Sequence, residues 1–135
     1  MINAKELRLN NIVSYKGVIG KVTWIQQDCI TIEYQRQDDL SNGSMVSPEL
    51  LDRVRLNDNI ITEFGFKLQK SISSIGWDKF KNGNVELSLA PLKNGGYVFV
   101  YYIGGEYLYI RYIHQLQNLF FALSQKELDT TKLFD

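Results

Sequence analysis

Apolar and polar residues alternate in short runs through the first third of the chain. Residues 11–16, 20–26 and 29–35 alternate in this way, are rich in Val, Ile, Thr, Tyr and Trp, and are broken at Gly17 and at Gln27-Asp28. That pattern predicts three short antiparallel strands. Asn3 followed three residues later by Glu6 has capping-box spacing and predicts a brief helical turn before them. Asn42-Gly43 marks a further turn and Met45-Val46 a short strand. Ser47-Pro48 reads as a cap followed by proline at the start of a helical turn, and residues 53–56 can extend again.

The pattern then changes. Asn57 caps a short helix carrying Ile61 and Phe64 that stops at Gly65, with Phe66 placed to fold back on the last turn as in a Schellman stop. Residues 70–76 have linker-like composition and predict a loop. Strands follow at 77–81, 85–90, 97–103 and 106–111, separated by Asn82-Gly83, Asn94-Gly95-Gly96 and Gly104-Gly105, which is the pattern of a β-meander. Ile113, Leu116, Leu119, Phe120 and Leu123 recur at helical spacing, so residues 113–123 form an amphipathic helix. Ser124 and Glu127 suggest a last turn starting near Lys126.

The expected fold is α+β: a small N-terminal SH3-like β-barrel over residues 1–57, then, over 58–135, a short helix, a four-stranded antiparallel meander and a C-terminal amphipathic helix covering it. Whether the two halves share one core is left open by the pattern.

A two-residue loop at Gly104-Gly105 fixes the register of the last hairpin, pairing Ile103 with Glu106, Tyr102 with Tyr107, Val100 with Tyr109 and Val98 with Arg111. One face then carries Tyr97, Phe99, Tyr101, Leu108, Ile110 and Tyr112. The other carries Val98, Val100, Tyr102, Tyr107, Tyr109 and Arg111. The first is greasier and is expected to lie under the helix. The second either packs on the other half of the chain or serves as a recognition surface, so Tyr102, Tyr107, Tyr109 and Arg111 are the candidate partner-binding residues.

Composition narrows the function more than the fold. With 44% hydrophobic and 22% charged residues the 135-residue chain can bury a core. Its 15 basic residues balance its 15 acidic ones, which argues against non-specific coating of nucleic acid. One cysteine, Cys29, excludes an internal disulfide and fits a reducing compartment. No apolar run approaches the roughly 20 residues that span a bilayer, and the charged opening is unlike a signal peptide. A cytoplasmic protein without membrane segments is expected.

Little in the sequence points to catalysis. His114 is the only histidine and stands on the first turn of a helix with no nucleophile marked beside it. Cys29 reads as a small core hydrophobe. Asp38 and Asp39, near Arg36, read as a solvated loop, since no further acid or histidine stands at ligand spacing. The glycine pairs lack the context of a phosphate loop. Trp24, Trp77 and the tyrosines carry faces on which bases stack, yet most aromatics in such a chain belong to the core. No catalytic residue, metal site or cofactor is predicted, and the expectation is a binding protein rather than an enzyme.

Three segments resemble a known group. Ala4-Lys5-Glu6-Leu7-Arg8-Leu9-Asn10-Asn11-Ile12-Val13, Ile61-Thr62-Glu63-Phe64-Gly65-Phe66 and Tyr112-Ile113-His114-Gln115-Leu116-Gln117-Asn118-Leu119-Phe120-Phe121-Ala122-Leu123 resemble short uncharacterised proteins of Bacteroidetes bacteria and their phages and prophages. In that group the opening segment usually has Gly where Asn10 stands. The resemblance implies a mobile-element setting and so a counter-defence inhibitor that binds a host nuclease effector or its guide complex, in the manner of anti-CRISPR proteins. The alternatives are a sponge for a nucleotide immune signal, or an RNA- or DNA-associated module, because Val18, Gly20 and Val22 within a small barrel also look like KOW-type barrels. Self-association through the aromatic sheet face is a further expectation.

Overall fold

A computed structural model of the chain describes residues 2–27, 29–33, 44–71 and 76–134. The predicted turn at Asn42-Gly43, the end of the third predicted strand, the Asp38-Asp39 pair with Arg36, and the centre of the 70–76 loop lie outside the described residues. The fold is α+β, with two antiparallel sheets and one long helix. Two compact units can be told apart: one consists mainly of Met1–Arg55 with Tyr112–Asn118, the other mainly of Leu56–Arg111 with Leu119–Leu133.

The first unit opens with a 3-10 turn, Ala4–Glu6, where the Asn3 side chain accepts from the Lys5 N–H. Glu6 does not close the capping box: its carboxylate takes the Arg53 guanidinium at 3.1 and 3.3 Å instead. Strands β1 (Ile12–Tyr15), β2 (Val18–Ile25), β3 (Ile30–Glu33), β4 (Ser44–Val46) and β5 (Asp52–Arg53) form one sheet in the order β4-β3-β2-β1-β5. A 3-10 turn at Pro48–Leu50 precedes β5. The core gathers the inward residues of this alternation, among them Val13, Val22, Ile30, Ile32, Val46 and Leu51, with Ile2 and Leu7 from the opening turn. Asn10 holds φ 73° at the entry to β1. Asparagine is one of the few residues besides glycine that adopts this left-handed conformation at modest cost.

The second unit begins with α1 (Asp58–Glu63), capped by Asn57, whose side chain accepts from Ile60 N–H at 2.9 Å. It ends as its sequence predicts. Gly65 has φ 91°, its N–H donates to Thr62 O, and the Phe66 N–H donates to Ile61 O, the paired bonds of a Schellman stop. The second sheet has five strands rather than four: β6 (Lys67–Gln69), β7 (Lys79–Asn82), β8 (Val85–Pro91), β9 (Tyr97–Ile103) and β10 (Glu106–Ile110), in the order β10-β9-β8-β7-β6. The unpredicted strand β6 is three residues long and exposed throughout, so it carries no alternation to read. Its pairing with β7 is what makes it a strand. Phe80 meets Phe99 edge-on at 5.4 Å and Phe66 meets Phe120 at 6.3 Å, placing aromatic contacts in this core.

Helix α2 (Ile113–Ser124) follows the predicted span, but its buried stripe is rotated. Ile113, His114, Leu116, Gln117 and Phe120 are buried, Leu119 is half-buried and Leu123 is exposed. No turn begins near Lys126. Ser124 caps backward, its hydroxyl donating to Phe120 O at 2.7 Å, Gln125 takes φ 61°, and the last 3-10 turn lies at Thr131–Phe134.

Candidate functional site

The hairpin of β9 and β10 has the register that its Gly-Gly turn dictates. Glu106 pairs with Ile103, Tyr107 with Tyr102, Leu108 with Tyr101, Tyr109 with Val100 and Ile110 with Phe99. Gly104 and Gly105 hold φ 62° and 83°, the left-handed pair that such a two-residue turn needs.

Burial does not divide by face as the alternation suggests. Val98, Phe99 and Val100 are buried although they point to both sides of the sheet, and Tyr102, Ile103, Tyr107, Leu108 and Tyr109 are exposed on both sides. Position along the hairpin decides: the end near residues 98–100 is inside, the tip is outside. On the predicted recognition face the structure therefore gathers Tyr102, Tyr107 and Tyr109, 60%, 49% and 50% exposed, with exposed Arg111. The Tyr102 and Tyr107 rings lie 5.2 Å apart, and the Arg111 guanidinium sits 5.1 Å above the Tyr109 ring.

The site extends beyond those four residues. Trp77 stands 5.5 Å from Tyr107, and a cleft of about 560 Å³ is lined by Trp77, Lys79, Glu86, Ser88, Tyr102 and Tyr107 among others. Lys79 and Glu86 form an ion pair across it at 3.3 Å. The signal for this extension is in the sequence. A turn at Gly83-Asn84 pairs Asn82 with Val85, and so Lys81 with Glu86 and Lys79 with Ser88, which carries the same face across β7 and β8.

The other flagged residues lie elsewhere. His114 is 1% exposed, and its two ring nitrogens are buried without a hydrogen bond. Glu6 Oε1 approaches its Nε2 at 3.4 Å, Arg53 binds the same carboxylate, and Tyr112 stacks on the ring at 6.1 Å. Burial lowers the pKa of His114 below its ordinary value; Glu6 pulls it upward and Arg53 downward. An imidazole buried beside an Arg-bound carboxylate and a tyrosine ring is built into the core. Arg53 also lines a second cleft of about 630 Å³, together with Ile2, Ser47 and Pro48, but its guanidinium is already held by Glu6 and covers the Tyr112 ring at 5.4 Å. Trp24 is exposed on the first sheet and Cys29 is a half-buried free thiol. Among the described residues no group of three or more His, Cys, Asp or Glu could hold a metal ion, and no helix is long and apolar enough to cross a membrane.

The polar residues that the sequence reading passed over form a network in the first unit. Gln117 Nε2 donates to Asn10 O at 2.8 Å and its Oε1 accepts from Ile12 N–H at 2.7 Å. Asn118 Oδ1 accepts from Asn11 Nδ2 at 2.9 Å and from Arg8 Nε at 3.2 Å, and its Nδ2 donates to Glu6 O at 3.1 Å. Asn11 Oδ1 accepts from Arg8 N–H at 2.7 Å. The segments 6–12 and 117–118 are thus bonded to each other, side chain to backbone and side chain to side chain. This network is structural: each amide is occupied by the fold itself. Comparison with protein-family models, curated proteins and solved structures returns no match.

Proposed function

We propose that this protein acts by binding a macromolecular partner, not by catalysis, and that the partner is a protein held on the Tyr102, Tyr107, Tyr109 and Arg111 face of the second sheet. The observation that carries this reading is the exposure of three tyrosines side by side, rigid amphipathic groups that proteins otherwise bury and that recognition surfaces concentrate. The partner class comes from the resemblance of the opening and closing segments: a host nuclease effector or its guide complex, inhibited by occlusion, with the protein working in the cytoplasm of a bacterium that carries a phage or prophage. The first sheet is read as an SH3-like barrel, supported by β1 lying between β2 and β5 and by the 3-10 turn before β5.

The test is affinity purification of the tagged protein from a Bacteroidetes lysate, beside a Tyr109→Ala/Arg111→Ala variant. A stoichiometric protein recovered with the wild type and lost with the variant, whose circular dichroism is unchanged, supports the reading. Equal recovery with both moves the surface elsewhere, and recovery of RNA or a nucleotide alone replaces the protein-inhibitor reading.

A further inference from the structure

We infer that the cleft beside Trp77 is a receptor for a cationic side chain, arginine before lysine, presented by the protein partner; this deepens the proposed function and rests on it for the source of the arginine.

The geometry of the rings separates this ligand from a nucleobase. A base held between two aromatic rings needs them parallel and about 7 Å apart, twice the contact distance of stacked atoms. Here Trp77 and Tyr107 are 5.5 Å apart and tilted by 50°, and Tyr102 and Tyr107 are 5.2 Å apart and tilted by 57°. The rings already touch and leave no slot between them. Tilted rings in contact instead present a stepped aromatic wall, which suits a cation approaching ring faces; indole is the strongest of the aromatic partners.

The charge in the cleft agrees. Glu86 lines it and supplies a carboxylate within reach of whatever lies against the rings. Its present partner, Lys79, is a weak competitor, since the two side chains are 50% and 41% exposed and such a surface pair contributes little. A guanidinium can replace the ammonium on Glu86 with two parallel hydrogen bonds and stack its plane on a ring at the same time, which lysine cannot do. The same sheet face already holds one guanidinium over a ring, Arg111 over Tyr109 at 5.1 Å.

The experiment follows the indole N–H resonances of the full-length protein by two-dimensional NMR during titration with Nα-acetylarginine amide, with the lysine analogue, and with adenosine monophosphate. The expected result is a saturable shift of Trp77 with the arginine amide, a smaller one with the lysine analogue, and no movement of Trp24. Glu86→Gln weakens the arginine amide by about tenfold, and Lys79→Met tightens it by removing the competitor. A nucleotide site gives the opposite response to Lys79→Met, because the lysine would hold the phosphate. A Trp77 shift with adenosine monophosphate but not with the arginine amide, or no shift with either, overturns the inference. Arginine binding with no protein recovered from the lysate leaves the cleft standing and removes the proposed function; a recovered protein with a silent Trp77 does the reverse.

Discussion

The first unit and the sheet of the second place their polar and apolar residues in opposite ways. In the first unit amide side chains are inside: Asn11 and Gln117 are buried, and each amide is bonded to backbone or to another side chain. At the hairpin tip of the second sheet large rings are outside. A buried amide is tolerated only where its partners are fixed, so the first arrangement defines one structure and permits little change. An exposed ring adds little to stability, so the second arrangement leaves those residues available for contact with another molecule.

The widest gap between the two regions should appear on removing Gln117. Gln117→Leu leaves the Ile12 N–H and the Asn10 carbonyl without partners, and each such group costs on the order of 1–3 kcal/mol. A loss of about 3 kcal/mol is expected in urea denaturation; a loss below about 1 kcal/mol would mean that water reaches these groups and that the network is not what closes the unit. Gly65→Ala tests whether the second unit has an equally intolerant point. Its φ of 91° and a Cβ only 3.2 Å from Asn82 Nδ2 predict a loss of about 1–2 kcal/mol.

His114 supplies a pH-dependent version of the comparison. Its folded pKa is below the ordinary 6.5, so just below that pH the unfolded chain binds a proton that the folded chain does not. Its contribution is complete above 6.5 and is lost as the pH falls through that value toward the folded pKa. The stability of the wild type should therefore fall over this interval more steeply than that of His114→Gln, compared by denaturation at pH 7.5 and at successively lower pH. Parallel curves would mean that His114 titrates alike in both states. The smallest effect is expected at the sheet tip: Tyr102→Ala and Tyr107→Ala should each change stability by less than about 1 kcal/mol, and a larger loss would show that the rings hold the hairpin together.

What was legible in the sequence follows the range of the interactions. The Schellman stop at Gly65 and the Gly104-Gly105 register are local: a few residues contain the whole cause, and both appear as read. The α2 span is also local, but its buried stripe is not. The apolar period leaves Gln117 out of the stripe, and only bonds to Asn10 and Ile12, more than a hundred positions earlier, explain why Gln117 is inside. Glu6 fails in the same way, leaving the capping box for Arg53. The exposed tyrosines were correctly put on one face, but which end of the hairpin is covered depends on packing that alternation does not encode. Glu86 joins the site through the β7–β8 register, whose turn lies at Gly83-Asn84 and not at the expected Asn82-Gly83, and Trp77, outside that register, joins through its contact with Tyr107.

The side-chain amide of Gln117 offers one donor and one acceptor to the start of β1, as the peptide group of a neighbouring strand would. During synthesis residues 1–55 emerge before residue 117, yet the backbone of their opening strand stays incomplete until residue 117 has left the ribosome. A segment made before the helix is thus finished only after it. A nascent chain halted anywhere between β1 and the helix should remain open to proteases at β1, and a separately supplied peptide bearing Gln117 and Asn118 would be the natural means of closing it.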